Sequence, residues 1–199
     1  MENERLRRIY DEWGPRLGGP VDRALLGRLR RRALRGARGR VLEIGIGSGA
    51  SLPYYPPGCD ITGVDLSRVS LQCARSQARE LGLQATLIEG DAQALPFEDA
   101  SFDTCASQLT LCTIPDPLAA LRELRRVCRP GSSVLLMEHT TSTLFLLAPL
   151  CRSVGPLLCR PLGCHPNRPM EELVERAGLR LEVTERHVAG IVRLMRAVP

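Results

Sequence analysis

Lysine is absent from this sequence, aromatic residues are few, and no long apolar run is free of interruptions. Aromatic residues make up 4% of the 199 residues, so side chains that could stack on bases are scarce and we expect no nucleic-acid partner. The most apolar stretch, residues 144–162, is broken by three prolines and two arginines. It falls well short of the ~18 uninterrupted apolar residues that a spanning helix requires, so we expect no segment that crosses a membrane.

The eight cysteines lack the spacing of a metal-binding motif. No two of them form a Cys-x-x-Cys pair, and no Cys/His cluster has zinc-finger spacing. Several lie within apolar runs, where a thiol behaves as a small buried hydrophobe. We therefore predict no metal site. The sequence opens with charged residues instead of a signal peptide, which predicts a cytoplasmic location.

Positive charge is concentrated at the N-terminus. All 27 basic residues are arginine, and residues 1–40 hold twelve of them against five acidic residues. Each arginine near an anionic membrane surface contributes roughly 1 kcal/mol of attraction before salt screening. A solvated helix face has the same composition, so peripheral membrane contact and simple solvation both remain open.

Short apolar segments alternate with amphipathic segments along the chain. The apolar segments predict strands at residues 41–44, 60–65, 85–89, 102–107, 133–138, 179–185 and 191–195. The amphipathic segments predict helices at residues 21–34, 67–81, 117–127 and 169–177. This alternation is typical of an α/β fold with helices on both faces of a doubly wound, mostly parallel sheet, here of seven strands.

We interpret the chain as one domain over residues 38–199, preceded by an N-terminal helical cap segment, residues 1–37. An apolar insertion at about residues 141–168 interrupts the alternation of strands and helices. Such an insertion is expected either to lie on a membrane surface or to form a lid over an apolar pocket.

A glycine-rich turn follows the first predicted strand. Gly45, Gly47 and Gly49 allow close approach of a ligand to the backbone, and Asp65 follows about twenty residues later, where an acid can bind ribose hydroxyls. Glycine at residues 45 and 47 with Ala50 also satisfies the dinucleotide fingerprint. The turn alone therefore leaves a nicotinamide-dependent oxidoreductase open.

Five motifs follow one another between residues 38 and 140. They are Val41-Leu42-Glu43-Ile44-Gly45-Ile46-Gly47-Ser48-Gly49, Gly63-Val64-Asp65-Leu66-Ser67, Glu89-Gly90-Asp91-Ala92 with Leu95-Pro96-Phe97, Ser101-Phe102-Asp103, and Leu124-Arg125-Arg126-Val127 through Arg129-Pro130-Gly131. Together they resemble the class I S-adenosylmethionine-dependent methyltransferases. The resemblance implies a Rossmann-like sheet, S-adenosyl-L-methionine as cofactor and S-adenosyl-L-homocysteine as product.

The resemblance also implies roles for single residues. Glu43 and the turn residues Gly45, Gly47, Ser48 and Gly49 would hold the methionine part of the cofactor. Asp65 would bind the ribose hydroxyls, and Leu66, Asp91 and Ala92 would contact the adenine. Gln108 would face the cofactor.

Two residues are candidates for contact with the acceptor. His139 follows the fifth strand, where an imidazole with an ordinary pKa near 6.5 can take a proton. Tyr10 lies in a segment that resembles the part of related enzymes that closes over the cofactor. A structural hydrogen bond for His139 and simple packing for Tyr10 remain the alternatives.

The sequence is compatible with several methyl acceptors. Four short segments resemble a branch that contains bacterial phosphatidylethanolamine N-methyltransferases and membrane-associated thiol methyltransferases. They are Tyr10 to Trp13, Tyr54 to Gly58, Leu111 to Pro117 and Glu138-His139. This implies a lipid or another lipophilic small molecule as acceptor, with a phospholipid amine, a thiol and a quinone-type ring as candidates. A non-catalytic module that binds S-adenosylmethionine is a further alternative.

Overall fold

Seven strands form one sheet in the computed structural model, which describes residues 2–140, 153, 157, 161 and 163–199. The strands are β1 (Arg40–Ile44), β2 (Asp60–Asp65), β3 (Ala85–Glu89), β4 (Phe102–Gln108), β5 (Cys128–His139), β6 (Arg180–His187) and β7 (Val192–Val198). Their order is β3-β2-β1-β4-β5-β7-β6, and in this sheet β7 alone runs in the direction opposite to the other six strands. The predicted α/β fold with a mostly parallel, seven-stranded, Rossmann-like sheet is confirmed.

The central strands β1 and β4 are covered on both faces. Val41, Leu42, Ile44 and Cys105 are fully buried, as expected for parallel strands that read as continuous apolar runs. The strand order reverses between β1 and β4. The loops after these two strands therefore diverge and leave a crevice at the carboxyl edge of the sheet.

Helices flank the sheet, and two of them begin at side-chain caps. They are α1 (Glu2–Trp13), α2 (Pro20–Leu34), α3 (Arg68–Glu80), α4 (Pro117–Val127) and α5 (Met170–Arg176). The Ser67 hydroxyl oxygen accepts from the Ser70 N–H at the start of α3, and the Asp116 carboxylate accepts from the Ala119 N–H at the start of α4. Side chains of this type satisfy the free N–H groups of a first helical turn, which explains where both helices begin.

The two faces of the sheet bury different helices. Leu34 of α2 packs with Val41, and Leu71 of α3 belongs to the same side of the sheet. Leu124 of α4 packs with Leu42 on the opposite face. Burying each such side chain contributes roughly 1.5–3 kcal/mol to the stability of the fold. The face of the sheet on which a strand residue lies therefore determines which helix packs against it.

The fifth strand is longer than the sequence predicts. It begins at Cys128 instead of residue 133, and the pairing with β4 shifts in register between Phe102 and Thr104. The irregularity accommodates Pro130 and Gly131, which the sequence pattern assigned to the turn after α4. A register shift of this kind depends on the partner strand, which explains why the local sequence does not predict it.

The predicted apolar insertion at about residues 141–168 lies mostly outside the described residues. Among the residues that are described, no helix has both the length and the apolar character needed to span a bilayer.

Candidate active site

A cavity of about 340 Å³ opens at the carboxyl edge of the sheet. The loops after β1, β2, β3 and β4 line it together with His139 at the end of β5, and the N-terminal helices contribute Tyr10 and Arg30 to its walls. Doubly wound sheets bind their ligands at this edge, where the strand order reverses. The cavity is therefore the candidate active site.

The glycine-rich turn after β1 forms one wall of the cavity. Gly45, Gly47 and Gly49 have φ values of 63°, 55° and 86°, which glycine adopts without the steric cost of a Cβ. The Gly45 N–H donates to the Val64 carbonyl over 2.7 Å, which fixes the turn to β2. A Cβ on Gly45 would overlap the side chain of Thr110, whereas one on Gly47 would meet no atom nearer than 4.0 Å. Gly45 is thus required by space as well as by backbone conformation.

Asp65 lies at the carboxyl end of β2, next to this turn. Its Oδ2 accepts from the Gly47 N–H and its Oδ1 from the Ser67 N–H, each over 2.8 Å. Burial raises the pKa of Asp65, the two N–H donors lower it, and the Asp11 carboxylate adds to the rise. A carboxylate has about four lone-pair positions, so the two backbone bonds leave Asp65 able to accept hydroxyl donors from a ligand.

Glu43 is a buried acid at the end of β1. Its Oε2 accepts from the Ser51 hydroxyl over 2.6 Å and from the Tyr55 hydroxyl over 2.9 Å. Burial raises the pKa of Glu43, and the two hydroxyl donors and the Arg30 guanidinium oppose that rise. These contacts hold the carboxyl group in one orientation at the wall of the cavity.

Arg30 and Gln108 form a buried polar pair in the wall of the cavity. The Arg30 Nη1 donates to Gln108 Oε1 over 2.9 Å, and its Nη2 donates to Asp22 Oδ1 over 3.1 Å. Within the described part of the chain, Arg30 Nε and Gln108 Nε2 are buried without a hydrogen-bond acceptor. An unpaired buried donor costs about 1–3 kcal/mol, so this wall is suited to a ligand group that accepts hydrogen bonds.

Helix α1 covers the cavity and is held there by polar contacts. Asn3 donates to Asp91 over 2.7 Å, and the Ser67 hydroxyl donates to Asp11 over 2.6 Å. The Ser70 hydroxyl donates to the Tyr10 carbonyl over 3.2 Å. These contacts tie α1 to the loop after β3 and to the start of α3, so the helix lies across the ligand side of the sheet.

The structure brings the predicted site residues to this cavity with one exception. Its walls include Tyr10, Glu43, Gly45, Gly47, Ser48, Asp65, Leu66, Asp91, Ala92, Gln108 and His139. Gly49 is not part of the wall, because it faces Leu52 and Ala74, which a Cβ there would crowd. Gly49 therefore lets the turn pack against α3.

Sequence reasoning missed several polar residues of the cavity, among them Arg30, Cys112 and Cys164. Arg30 carries a weak signal, since it lies on the same side of α2 as the buried Gly27 and Leu34, but twelve N-terminal arginines obscure it. The other two, Cys112 and Cys164, follow no spacing rule and are brought to the cavity by the fold.

Cys112, His139 and Cys164 form a cluster at the wall of the cavity. The Cys164 Sγ lies 3.9 Å from the His139 Nδ1, and one potential ligand atom from each of the three residues lies within 4.8 Å of the others. Cys112 is 1% exposed and Cys164 is 8% exposed. Two thiols and an imidazole thus converge on one point beside the predicted ligand contacts.

Comparison with known proteins identifies the family. The family described as a methyltransferase domain matches residues 42–136. The phosphatidylethanolamine N-methyltransferase of Cereibacter sphaeroides is 35% identical over 158 residues, which cover 74% of this chain and 72% of the relative. This chain belongs to the class I S-adenosylmethionine-dependent methyltransferases. The motif series and the sheet agree with that membership, and the enzyme accordingly uses S-adenosylmethionine as its methyl donor.

Other matches extend the comparison for this methyltransferase. The thiol S-methyltransferase TMT1B of Homo sapiens is 34% identical over 113 residues, which cover 54% of this chain and 46% of the human protein. The crystal structure of an S-adenosylmethionine-dependent methyltransferase from Aquifex aeolicus has a TM-score of 0.71 at 18% identity and covers 94% of this chain and 97% of its own. The structural similarity supports the fold alone.

Proposed function

We propose that this methyltransferase acts on a lipophilic acceptor that reaches the cavity from a membrane surface, with a phospholipid amine as the first candidate. The observation that carries the proposal is an exposed apolar surface next to the cavity. Leu17 belongs to both, because it lines the cavity and is also exposed. The similarity to a bacterial phosphatidylethanolamine N-methyltransferase supports the same acceptor class.

The apolar N-terminal surface consists of Trp13, Leu17, Val21 and Leu25. Val21 and Leu25 are 72% and 71% exposed and lie one turn apart on α2. The Arg16 guanidinium lies 5.4 Å from the centre of the Trp13 ring, and further arginines follow along the helix. Exposed apolar side chains next to arginines are typical of surfaces that enter the headgroup region of anionic membranes.

The cofactor contacts are proposed from the donors and acceptors around the cavity. The unpaired donors of Arg30 and Gln108 suit the carboxylate of the methionine part, and the buried Glu43 suits its ammonium group. The free lone pairs of Asp65 suit the ribose hydroxyls, and Asp91 with Leu66 suits the adenine. Each proposed polar contact pairs a donor with an acceptor, and Leu66 offers an apolar surface to the adenine, so the residues present fit the cofactor.

The residues of the chain have a limited chemical task in this reaction. S-adenosylmethionine supplies a methyl group on a sulfonium sulfur, which leaves as a neutral thioether when a nucleophile attacks the methyl carbon. The protein mainly has to align the acceptor and exclude water. We assign these tasks to Tyr10 and His139, with His139 as the proton acceptor when the nucleophile is an amine.

The acceptor class is testable with one screen. Purified enzyme and methyl-labelled S-adenosylmethionine are incubated with phosphatidylethanolamine vesicles, with alkyl and aryl thiols, and with quinols. Label in the lipid fraction is the expected result. Binding of S-adenosylhomocysteine without label in any acceptor fraction would contradict methyl transfer to these classes.

Cofactor affinity is expected to fall at acidic pH. The proposed ribose contact needs ionised Asp65, and burial raises the pKa of this carboxyl above its ordinary value of 3.8. The cofactor binds the ionised carboxylate, so the affinity has its full value above the pKa that Asp65 has in the free enzyme. Below that pKa the affinity falls about tenfold per pH unit. Calorimetric titration with S-adenosylhomocysteine between neutral pH and the acid limit of stability measures this. An Asp65→Asn variant is expected to bind less tightly than the wild type and to show a flatter pH profile. An unchanged profile would contradict the assignment.

Membrane contact is expected to depend on the apolar N-terminal surface. Replacement of Val21 and Leu25 by serine removes apolar area worth roughly 1.5–3 kcal/mol per side chain when fully buried. We expect binding to anionic vesicles to weaken at least about tenfold in co-sedimentation, because even partial insertion uses part of that energy. Serine at the exposed Leu81 and Leu83, just after the C-terminal end of α3, is the matched control. Equal binding by both double variants would contradict the proposal.

A thiol acceptor is the second candidate. The human relative named as a thiol S-methyltransferase supports it, and so does the cluster of Cys112, His139 and Cys164 at the cavity wall. The same screen separates the two candidates, because label appears in either the lipid fraction or the thioether fraction.

A further inference from the structure

We propose that Cys112, His139 and Cys164 bind a zinc ion whose remaining coordination position faces the cofactor cavity and takes the sulfur of a thiol acceptor. The inference rests on the second candidate of the proposed function, methyl transfer to a thiol, and names a metal for that reaction. Two cysteines and one histidine form a ligand set that zinc enzymes use when a fourth position is left for substrate.

The geometry of the cluster suits a tetrahedral ion. Zinc–sulfur bonds of about 2.3 Å and zinc–nitrogen bonds of about 2.0–2.1 Å place tetrahedral ligand atoms roughly 3.5–3.8 Å apart. The Cys164 Sγ and His139 Nδ1 are 3.9 Å apart, and the largest separation in the set is within 4.8 Å. Contraction by at most about 1 Å, within reach of side-chain rotation, is therefore enough to close the site.

The backbone holds the three ligands in place before any ion binds. The Cys112 carbonyl accepts from the His165 N–H over 2.7 Å, next to Cys164. The Arg168 Nη1 donates to the carbonyls of Leu111 and Ile114, on both sides of Cys112.

His139 is held independently of these two segments. It ends β5 and pairs with Val192 of β7. Ligands from separate segments are thus fixed to one another, as a preorganised metal site requires.

The fourth coordination position of the proposed ion faces the cavity. All three residues line the same cavity as Gly45 and Asp65, and the two thiols are otherwise buried. An ion held by them therefore contacts the cavity and not bulk solvent on its fourth side. The methyl donor and a metal-bound acceptor would share one enclosed space, which favours transfer between them.

The ion supplies the activation that a thiol acceptor needs. The acceptor S–H loses its proton to water as the sulfur–zinc bond forms, because metal coordination deprotonates a thiol. The sulfur then attacks the methyl carbon, a sulfur–carbon bond forms, and the carbon–sulfonium bond breaks with its electron pair left on the cofactor sulfur. The products are a neutral thioether and S-adenosylhomocysteine, and zinc keeps its oxidation state. His139 is a ligand in this reaction and is not needed as a base.

Metal content and spectroscopy test the site directly. Enzyme purified without chelator is expected to hold about one zinc per chain. Replacement by Co²⁺ is expected to give thiolate-to-metal charge-transfer bands and the visible absorption of tetrahedral cobalt. Cys112→Ser and Cys164→Ser should each lose the metal and the bands, and Cys73→Ser, a half-buried cysteine on α3, should keep both. Wild type that binds S-adenosylhomocysteine but neither Zn²⁺ nor Co²⁺ would overturn the proposal.

A second measurement uses the wild-type enzyme, so its result does not depend on whether the variants fold. Alkylation with iodoacetamide, mapped by mass spectrometry, is expected to spare Cys112 and Cys164 when zinc is present and to modify them after chelation. Equal modification in both states would overturn the site. Zinc binding without methylation of any thiol would instead contradict the acceptor assignment, so failure of the metal site and failure of the proposed function give different results.

Discussion

Asp65→Ala is expected to weaken S-adenosylhomocysteine binding at least about 100-fold. The substitution removes the proposed acceptor of two ribose hydroxyls, and hydrogen bonds to a charged group contribute about 1.5–3 kcal/mol each, where 1.4 kcal/mol corresponds to a factor of ten. It also leaves the Gly47 and Ser67 N–H groups without their acceptor. Calorimetric titration measures the loss.

Two further variants sharpen this test. Asp60→Ala changes an exposed aspartate at the other end of β2 and is expected to leave the affinity unchanged. Asp65→Asn keeps the size of the side chain and part of its accepting capacity, so an intermediate affinity is expected. If Asp65→Ala binds as tightly as the wild type while remaining folded, the ribose assignment is wrong.

Gly45→Ala is expected to lower both stability and cofactor binding. Alanine at a φ of 63° costs roughly 1–2 kcal/mol. The new Cβ also overlaps Thr110, and overpacking of this kind costs about 1–3 kcal/mol more. Since 1 kcal/mol shifts the melting temperature of a domain of this size by about 2–4 °C, a fall on the order of 5–15 °C is expected by calorimetry.

The contribution of the overlap can be separated from that of the backbone. Gly82→Ala and Gly47→Ala place alanine at φ values of 65° and 55°, and neither Cβ would meet an atom nearer than 4.0 Å. Both variants are therefore expected to lose only the backbone contribution, and Gly82→Ala, remote from the cavity, to keep full cofactor affinity. Equal melting temperatures for all three would show that contact with Thr110 has no energetic effect.

The parts of the site that the sequence predicted are those that depend on short segments. A buried strand, a glycine-rich turn and an acid at the end of the next strand are local patterns, and Gly45, Gly47 and Asp65 all line the cavity. Parallel strands bring their carboxyl ends to one edge whatever the details of packing. The mostly parallel sheet and the helices on both of its faces followed from the same alternation.

The parts that the sequence missed depend on contacts between distant segments. Cys112, His139 and Cys164 are separated by 27 and 25 residues, and the loop contacts of Arg168 and His165 determine that they meet. Metal-motif rules count spacing within one turn or hairpin, so they do not apply to ligands from three separate segments. Arg30 was missed for a related reason, since the identity of its partner Gln108 is decided by how α2 packs on the sheet.

The contact between Asn3 and Asp91 has a consequence for turnover. The carboxylate proposed to recognise adenine also fastens the helix that covers the cavity, so one group serves as both recognition element and latch. Release of product and entry of fresh cofactor then require the same motion, in which α1 lifts as the latch opens. Opening of α1 is then expected to limit the turnover rate of the enzyme. Weakening the latch with Asn3→Ala would accelerate product release and lower the affinity for the cofactor.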